Sequence, residues 1–411
     1  MAIIKPFRGY LPPSELVDKV PSPPYDVLSS NEAREMVKNN PYSFLRIIKP
    51  EIDSIPGNEP LGDTLHKHAA ENLRDFISSG KLQQDGKPCF YIYQITMKQH
   101  TQTSIVTAVS VTEYNEGLIK KHEFTRQDKE DDRTRHIEIT NANTGPVFLT
   151  FRNDGEIQIQ IREIKRRNAN LSFQANDQTI HKLWKISDPD DQKSLSTYFQ
   201  SIPTLYIADG HHRAASASRV QKIRQDANTH HKGDEPYNYF MSVIFPHDEM
   251  QILGYNRVVK SLNGLSEEQF IDSIQTNFSL TPLPNSAKPE TRNVVSMFLN
   301  GNWYQLKPKD EILSNDPVEG LNTSILQNHL LQPTLGIDDP RTNSRIDFVG
   351  GIRGLEALEH RCSLDAAVAF ALHPVSIEDL LVVADSGKVM PPKSTWFEPK
   401  LRSGLVVRLL D

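Results

Sequence analysis

The stretch from Thr204 to Arg213, Thr-Leu-Tyr-Ile-Ala-Asp-Gly-His-His-Arg, constrains the fold of this 411-residue chain more than any other. Leu205–Ala208 is a short apolar run that predicts a buried strand. Gly210 then permits a tight turn that a β-carbon would obstruct. Residues 211–225 contain no Gly or Pro and predict a helix. A strand, a glycine turn and a helix in this order leave unpaired backbone N–H groups at the positive end of the helix dipole, where an anion can bind.

The side chains at this turn are those expected of a phosphate site. Asp209 supplies a carboxylate, and His211, His212 and Arg213 bring cationic or cationisable groups to the start of the helix. The helix dipole disfavours such groups there unless an anion is present. The simpler alternative makes Asp209 a plain N-cap and leaves the other three residues in solvent, but it accounts for Asp209 alone. We therefore predict that the turn binds phosphate.

Length and charge narrow the class of protein. A chain of 411 residues can hold two or more domains, or one large domain with insertions. The net charge of −6 offers no general attraction to nucleic acid or to an anionic membrane, so we expect neither as a partner. No apolar stretch approaches the roughly 20 residues that a membrane helix needs. Because Cys89 and Cys362 form no CxxC pair and the N-terminus shows no secretory signal, we expect a soluble cytoplasmic protein.

The rest of the sequence alternates helical and strand patterns, which is typical of an α/β (α+β) protein. The pattern changes near residue 260, so we predict an N-terminal catalytic region over residues 1–260 and a C-terminal α/β region over residues 261–411. A capping box at Ser29 predicts the start of a short helix, and residues 98–100 predict the turn of a hairpin. Three further segments are predicted as a strand (41–48), as short strands with a polar loop (152–200) and as a helix (292–299).

Three other segments carry chemistry that a phosphate site could use. The rigid arm Pro23-Pro24-Tyr25-Asp26-Val27 presents a phenol and a carboxylate. The run His122-Glu123-Phe124-Thr125 precedes a charged stretch, residues 129–135, for which a solvated surface is the usual interpretation. Two prolines stiffen a loop that presents Lys393-Ser394-Thr395 to phosphate oxygens, without the glycines of a Walker A motif. For the arm and for the His-Glu pair, a purely structural role explains the spacing equally well.

Together these motifs resemble one widespread family that was long labelled only as a domain of unknown function. The segments Pro23–Val27, His122–Thr125, Asp209–Arg213 and Met390–Thr395 occur in that family's order, and the resemblance spans residues 7–405. Some members of the family are pyrophosphate-dependent free-serine kinases. The His-Glu pair followed by Asp-Gly-His-His-Arg also resembles the ADP-dependent free-serine kinases of the ParB/sulfiredoxin fold. In that fold the turn after a strand holds the transferred phosphate at a helix N-terminus.

The resemblance implies a fold, an activity and a role for each residue. It implies a ParB/sulfiredoxin-like phosphate-binding core with extra strands, and phosphoryl transfer from pyrophosphate to free L-serine with Mg²⁺ as the cofactor. Glu123 would be the catalytic base, and Asp209 would be a second catalytic residue that helps to hold Mg²⁺. The phosphate ligands would be Gly210, His211, His212, Arg213, Lys393, Ser394 and Thr395, with Arg133 and Arg135 as candidates by charge. Tyr25, Asp26, His122 and Thr125 would bind the substrate.

Three alternatives remain open. ADP or ATP could be the phosphoryl donor, although no glycine-rich nucleotide loop is present. A ParB-like regulator that binds nucleotide or nucleic acid would need a basic helix-turn-helix unit after the central motif, which the acidic balance disfavours. A phosphatase with His211 or His212 as its nucleophile would release orthophosphate from phosphoserine.

Overall fold

The computed structural model describes residues 2–411, which pack as two compact units of mixed α/β structure. The first unit holds the chain up to Lys121 together with Thr125–Met250 and Pro399–Asp411. The second unit holds His122–Phe124 and Gln251–Glu398. The α/β class that the sequence predicts is confirmed. Across residues 2–411, no helix combines the length and the apolar character needed to cross a bilayer.

The strands, in chain order, are β1 (Ile4–Lys5), β2 (Tyr10–Leu11), β3 (Gln83–Gln84), β4 (Phe90–Met97), β5 (His100–Ser110), β6 (Ile119–Lys120), β7 (Ala142–Asn143), β8 (Val147–Phe151), β9 (Leu171–Gln174), β10 (Ile180–Ile186), β11 (Leu205–Asp209), β12 (Tyr239–Pro246), β13 (Gln251–Leu253), β14 (Tyr255–Val259), β15 (Phe278–Leu283), β16 (Val295–Leu299), β17 (Asn302–Pro308), β18 (Ile346–Gly350), β19 (Val368–Leu372), β20 (Trp396–Glu398) and β21 (Arg408–Leu409).

The α-helices, in the same order, are α1 (Ser30–Val37), α2 (Leu45–Ile48), α3 (Asp63–Ser78), α4 (Val111–Asn115), α5 (Gln127–Thr140), α6 (Glu156–Lys165), α7 (Pro189–Ser201), α8 (His211–Ala227), α9 (Glu267–Asn277), α10 (Asn322–Leu326), α11 (Glu356–Leu364) and α12 (Ile377–Asp385).

The first unit is built on a nine-stranded sheet in the order β6-β11-β8-β12-β5-β4-β10-β9, with β1 paired to β5. The β11–β6 and β12–β8 pairs are parallel and the others are antiparallel. Buried side chains from these strands pack with others from α4, α6, α7 and α8 into one apolar core. The core therefore fixes β11 and α8, the strand and the helix on either side of the predicted phosphate turn.

The second unit is built on a six-stranded antiparallel sheet in the order β15-β17-β16-β19-β14-β18. Helices α9 and α10 contribute to one of its apolar clusters and α11 to another. Residues 255–259 belong to this sheet because β14 pairs with β18 and β19, and the main segment of the second unit begins at Gln251. Residues 399–411 return to the first unit, where β21 pairs with β7.

Several local predictions are confirmed. Ser29 forms the predicted capping box with Glu32 at the start of α1. The hairpin of β4 and β5 turns at residues 98–99, with Met97 paired to His100. The interpretation of residues 129–135 as a solvated surface is correct only in part, because Lys129, Asp131 and Arg135 in α5 are exposed but the side chain of Arg133 is only 12% exposed.

Three secondary-structure predictions are wrong. Residues 45–48 form helix α2 rather than a strand, and residues 295–299 form strand β16 rather than a helix. Both segments are short apolar runs, and periodicity alone cannot decide between helix and strand for such runs. Residues 152–200 contain two helices, α6 and α7, beside β9 and β10. In α6 the order Ile157-Gln-Ile159-Gln-Ile161 imitates a strand, but Ile157, Ile161 and Ile164 are the buried residues and have helical spacing.

Candidate functional site

The predicted strand, glycine turn and helix are present in the first unit. The side chains of Leu205–Ala208 in β11 are buried, and the register with β8 shifts between Ile207 and Asp209. Gly210 follows at φ 92° and ψ 29° and is the N-cap residue of α8. A β-carbon at Gly210 would lie 3.4 Å from Cα of Val147, and the backbone is in the left-handed region that favours glycine. The turn therefore requires a glycine.

The start of α8 carries no side-chain cap, so the alternative that makes Asp209 a plain N-cap is wrong. Oδ1 of Asp209 accepts instead from the backbone N–H of Gly210 at 2.7 Å. Oδ2 of Asp209 lies 3.5 Å from Nζ of Lys400, a residue that the sequence analysis did not select. Backbone donors at an uncapped helix start are well placed to bind an anion.

The three side chains after Gly210 differ in environment. His211 is buried. His212 accepts, at Nε2, a hydrogen bond of 3.1 Å from the backbone N–H of Arg126, which requires a neutral imidazole with its proton on Nδ1. Arg213 donates through Nη1 to the carbonyl oxygen of Pro146 at 2.7 Å. Among residues 2–411, no carboxylate lies within ion-pair distance of Arg213, so its positive charge is uncompensated.

Arg213 also lines a cavity that lies entirely within the first unit. The guanidinium carbon of Arg213 lies 5.5 Å from the centre of the Tyr25 ring, and that of Arg133 lies 4.4 Å from it. Both distances are those of cation–π contacts. Among the residues that the structure describes, no Asp or Glu lines the cavity. Its lining comprises Tyr25, Ile48, Arg133, His136, Ile137, Asn143, Thr144, Gly145, Val147, Arg213, Phe240, Met241 and Ser403.

Tyr25 and Arg133, which the sequence predicts as site residues, thus lie with Arg213 around one space. Burial, and then the neighbouring Asp26 carboxylate, raise the pKa of Tyr25, so its hydroxyl is protonated at neutral pH. The Asp26 side chain is exposed. Arg133 is paired with Asp132, at 2.8 Å from Nε to Oδ2. The cavity therefore combines one compensated and one uncompensated guanidinium.

His136 is a cavity residue that the sequence analysis missed. It is 2% exposed, and its Nε2 lies 3.1 Å from Oγ1 of Thr144. Burial holds the pKa of His136 well below its usual value, and Arg133 and Arg213 lower it further, so the ring is neutral. Its Nδ1 has no hydrogen-bond partner within residues 2–411. One sequence signal could have found it, since His136 follows Arg133 by three residues and therefore shares its helix face.

The absence of a side chain at Gly145 leaves room for Arg213 beside the cavity. A β-carbon on Gly145 would lie 3.4 Å from Cζ of Arg213 and 3.3 Å from Oγ of Ser403, tighter than ordinary contacts. The sequence alone does not predict the approach of Arg213 to Gly145. Arg135, a candidate by charge alone, is instead paired on the surface with Asp63, at 3.0 Å from Nε to Oδ1.

The predicted residues His122, Glu123, Lys393, Ser394 and Thr395 lie in the second unit. The two segments that carry them are joined there, because the N–H of Met390 donates to the carbonyl oxygen of His122 at 2.8 Å. Lys393 is exposed and Ser394 is buried. Oγ of Ser394 donates to the carbonyl oxygen of Pro391 at 2.7 Å, so its donor is used within the loop.

Thr125, predicted to bind the substrate, lies in the first unit just before α5, and its hydroxyl donates to Oε1 of Glu130. The structure thus places Tyr25, Asp26, Thr125, Arg133 and Asp209–Arg213 in the first unit. Of these, Tyr25, Arg133 and Arg213 line the same cavity.

The sequence matches the DUF1015 family, described as a protein of unknown function, over residues 4–324. The chain belongs to this family. The match confirms the predicted family and includes three of the four motifs, whereas Met390–Thr395 lies beyond the matched residues. No curated protein matches the sequence.

Solved structures similar to this DUF1015 protein include a free serine kinase variant in complex with AMP. The two sequences are 12% identical, the TM-score is 0.36, and the match covers 74% of this chain and 92% of the kinase chain. A conserved hypothetical protein from Pyrococcus furiosus is 12% identical at a TM-score of 0.34, and the match covers 72% of this chain and 90% of that protein's chain. SbnI with a C-terminal truncation, from Staphylococcus aureus, is 11% identical at a TM-score of 0.38, and the match covers 72% of this chain and 85% of the SbnI chain.

Proposed function

We propose that this protein is a phosphotransferase that moves a phosphoryl group from pyrophosphate to the hydroxyl of free L-serine, giving O-phospho-L-serine. The observation that supports it most is the position of Arg213. This uncompensated guanidinium lies in the first turn of α8, which has no side-chain cap, and also lines the cavity with Arg133 and Tyr25. A buried or half-buried charge without a counter-ion is costly, and a phosphate group would remove that cost.

The proposed reaction needs positioning and charge neutralisation more than covalent chemistry. The serine oxygen forms a bond to one phosphorus of pyrophosphate while the bridging P–O bond breaks, and orthophosphate leaves. Glu123 would accept the proton from the serine hydroxyl. The backbone N–H of His211 would hold the transferred group, together with that of Gly210 once it is released from Oδ1 of Asp209, and Arg213 would share its charge.

Other residues would hold the rest of the two substrates. His212, Arg133, Lys393, Ser394 and Thr395 remain the proposed ligands for phosphate oxygens. His136 adds an unused ring nitrogen in the cavity, and a neutral imidazole can donate or accept there. Tyr25, Asp26, His122 and Thr125 are proposed to bind serine.

Asp209 fits a Mg²⁺ ligand. Its side chain is 45% exposed, and Mg²⁺ in phosphoryl-transfer sites takes one or two carboxylates, with phosphate and water oxygens completing its shell. When bound, the ion would neutralise charge on the donor phosphates. Lys400, 3.5 Å from Oδ2 of Asp209, supplies part of that charge from the protein itself.

The deciding experiment is phosphorus NMR of the protein with Mg²⁺, L-serine and pyrophosphate, with Glu123→Gln as the test variant. We expect pyrophosphate to disappear and phosphoserine to appear with the wild type. The Glu123→Gln variant should lose about 10²–10⁴-fold in rate, the usual contribution of a general base. Glu116→Gln, at an exposed glutamate, is the matched control and should keep wild-type activity.

Other outcomes separate the components of the proposal. Consumption of pyrophosphate without phosphoserine would leave the phosphate site in place and reject serine as the acceptor. Phosphoserine formed from ADP or ATP but not from pyrophosphate would reject the proposed donor. No reaction with any of the three donors would reject the kinase activity.

A further inference from the structure

Arg257 is a buried arginine in β14, 4% exposed, that no carboxylate within residues 2–411 neutralises. Its guanidinium donates to two backbone carbonyls, that of Tyr255 and, at 3.3 Å, that of Pro392. Burial lowers the pKa of Arg257 to about 10, so the side chain remains charged at neutral pH. A buried charge without a counter-ion is costly to maintain. Here the guanidinium of Arg257 holds the backbone of Pro392, the residue before Lys393.

The chain on the other side of Lys393 is fixed as well. The hydroxyl of Ser394 donates to the carbonyl oxygen of Pro391 at 2.7 Å and lies 3.2 Å from Oγ1 of Thr323 in α10. Ser394 and Thr323 are both buried. The loop is therefore held to the second unit immediately before and immediately after Lys393.

Lys393 itself has an unusual backbone. Its φ of 57° lies in the left-handed region, which residues with a β-carbon rarely adopt. Its side chain is exposed, with Nζ 5.6 Å from the centre of the Tyr255 ring. Such a conformation persists only where surrounding contacts enforce it, and it occurs often at functional sites.

We infer that Arg257 is a positioning residue that, together with Thr323, fixes the loop so that Lys393 is presented to a phosphate-bearing ligand. The inference rests on the proposed function, in which Lys393 contacts phosphate. Arg257 acts only through the backbone of the loop and does not itself touch the ligand.

A double-mutant cycle tests whether Arg257 affects pyrophosphate binding through Lys393. Arg257→Met and Lys393→Gly should each raise the KM for pyrophosphate by about tenfold or more, the effect of losing one charge-assisted contact, and should leave the KM for serine within about twofold. In the Lys393→Gly background, Arg257→Met should cause no further rise, because the amine that it positions is absent. A rise that persists in that background would overturn the inference.

Lys98→Gly is the matched control. Lys98 has φ 55° in the turn between β4 and β5, so glycine relieves the same backbone strain there as at Lys393. Both glycine variants should melt at the wild-type temperature or above it. Only Lys393→Gly should raise the KM for pyrophosphate, and an equal rise in the Lys98 variant would overturn the role of Lys393.

The rate of trypsin cleavage measures how often the loop opens and does not depend on kinase activity. Cleavage after Lys393 requires the loop to open, so Arg257→Met and Thr323→Val should be cut there faster than the wild type. Equal rates would overturn the inference. A wild-type protein that makes no phosphoserine would overturn the proposed function alone, and the cleavage rates would still decide whether Arg257 holds the loop.

Discussion

At the scale of single residues, Arg213 differs from the other arginines of α5 and α8 in its lack of a carboxylate partner within the described chain. Arg133 contacts Asp132, Arg219 contacts Asp131 at 2.7 Å, and Arg224 contacts Glu138 at 3.0 Å. A paired arginine already has its counter-ion within the protein. Arg213 is therefore the residue whose removal should cost the most in binding an external anion.

We expect Arg213→Met to weaken pyrophosphate binding by about 10–100-fold, because a hydrogen bond to a charged group contributes about 1.5–3 kcal/mol. Arg219→Met, on the same helix, removes an exposed ion pair worth at most about 1 kcal/mol to stability and should leave the affinity unchanged. Isothermal titration calorimetry with pyrophosphate compares the two. Equal affinities in both variants would show that the cavity does not bind the donor.

At the scale of elements, the turn from β11 to α8 can be compared with a second helix start of the same shape. Gly155 is the N-cap residue of α6 at φ 89°, and Gly210 is that of α8 at φ 92°. Gly155→Ala and Gly210→Ala should each cost about 1–2 kcal/mol of stability, since both place a β-carbon in the left-handed region. Only Gly210→Ala should also abolish phosphoserine formation, because it displaces the backbone donors of α8. Urea unfolding and the kinase assay measure the two effects separately.

The elements that the sequence predicts correctly are those whose signals are local. The strand 205–208, the glycine turn and the helix after it are encoded within about twenty residues, and the capping box at Ser29 within four. The errors fall where apolar residues are consecutive or alternate, as in 295–299 and at Ile157, Ile159 and Ile161. There the choice between helix and strand is made by neighbours that are distant in the chain: β16 lies between β17 and β19.

The residues of the candidate site likewise divide into those that local sequence identifies and those that only tertiary packing brings together. The sequence identifies Asp209–Arg213 because the chemistry and the turn are contiguous. It cannot show that Tyr25, Arg133 and Gly145 approach Arg213, since these residues come from an N-terminal arm, a helix and a turn that only tertiary packing brings together. Lys400 was missed for the same reason, whereas the spacing of His136 from Arg133 in α5 was a local signal that could have identified it.

At the scale of the whole molecule, two buried neutral histidines should make stability depend on pH. His181 is fully buried, and Arg402 Nε donates to its Nε2 at 3.2 Å. Burial lowers the pKa of His181 to about 3, and Arg402 adds to the effect. The pKa of His136 is lowered in the same direction. In the unfolded chain both would titrate near about 6.5, so the unfolded state binds more protons below that pH.

The free energy of unfolding should therefore be highest above about pH 6.5 and should fall below it by about 1.4 kcal/mol per pH unit for each histidine. Urea unfolding at pH 7.5, 6 and 5 measures the slope. His181→Gln should lower the slope by the equivalent of one proton, whereas replacing an exposed histidine such as His230 should not change it. The same slope in the wild type and in His181→Gln would contradict the prediction.

The division of the first unit into separate segments has a consequence for biosynthesis. Residues 399–411 supply β21, the buried Arg408 that donates to the carbonyl oxygens of Pro236 and Tyr239, and Gly404, which packs directly on Phe44. At about 5–20 residues per second, a ribosome needs roughly 7–30 s to make the second unit between Met250 and Pro399. For that time the nascent first unit lacks its closing segment and exposes apolar surface. Its completion must follow translation of the second unit, and a chaperone that shields nascent chains would have its main opportunity to bind in that interval.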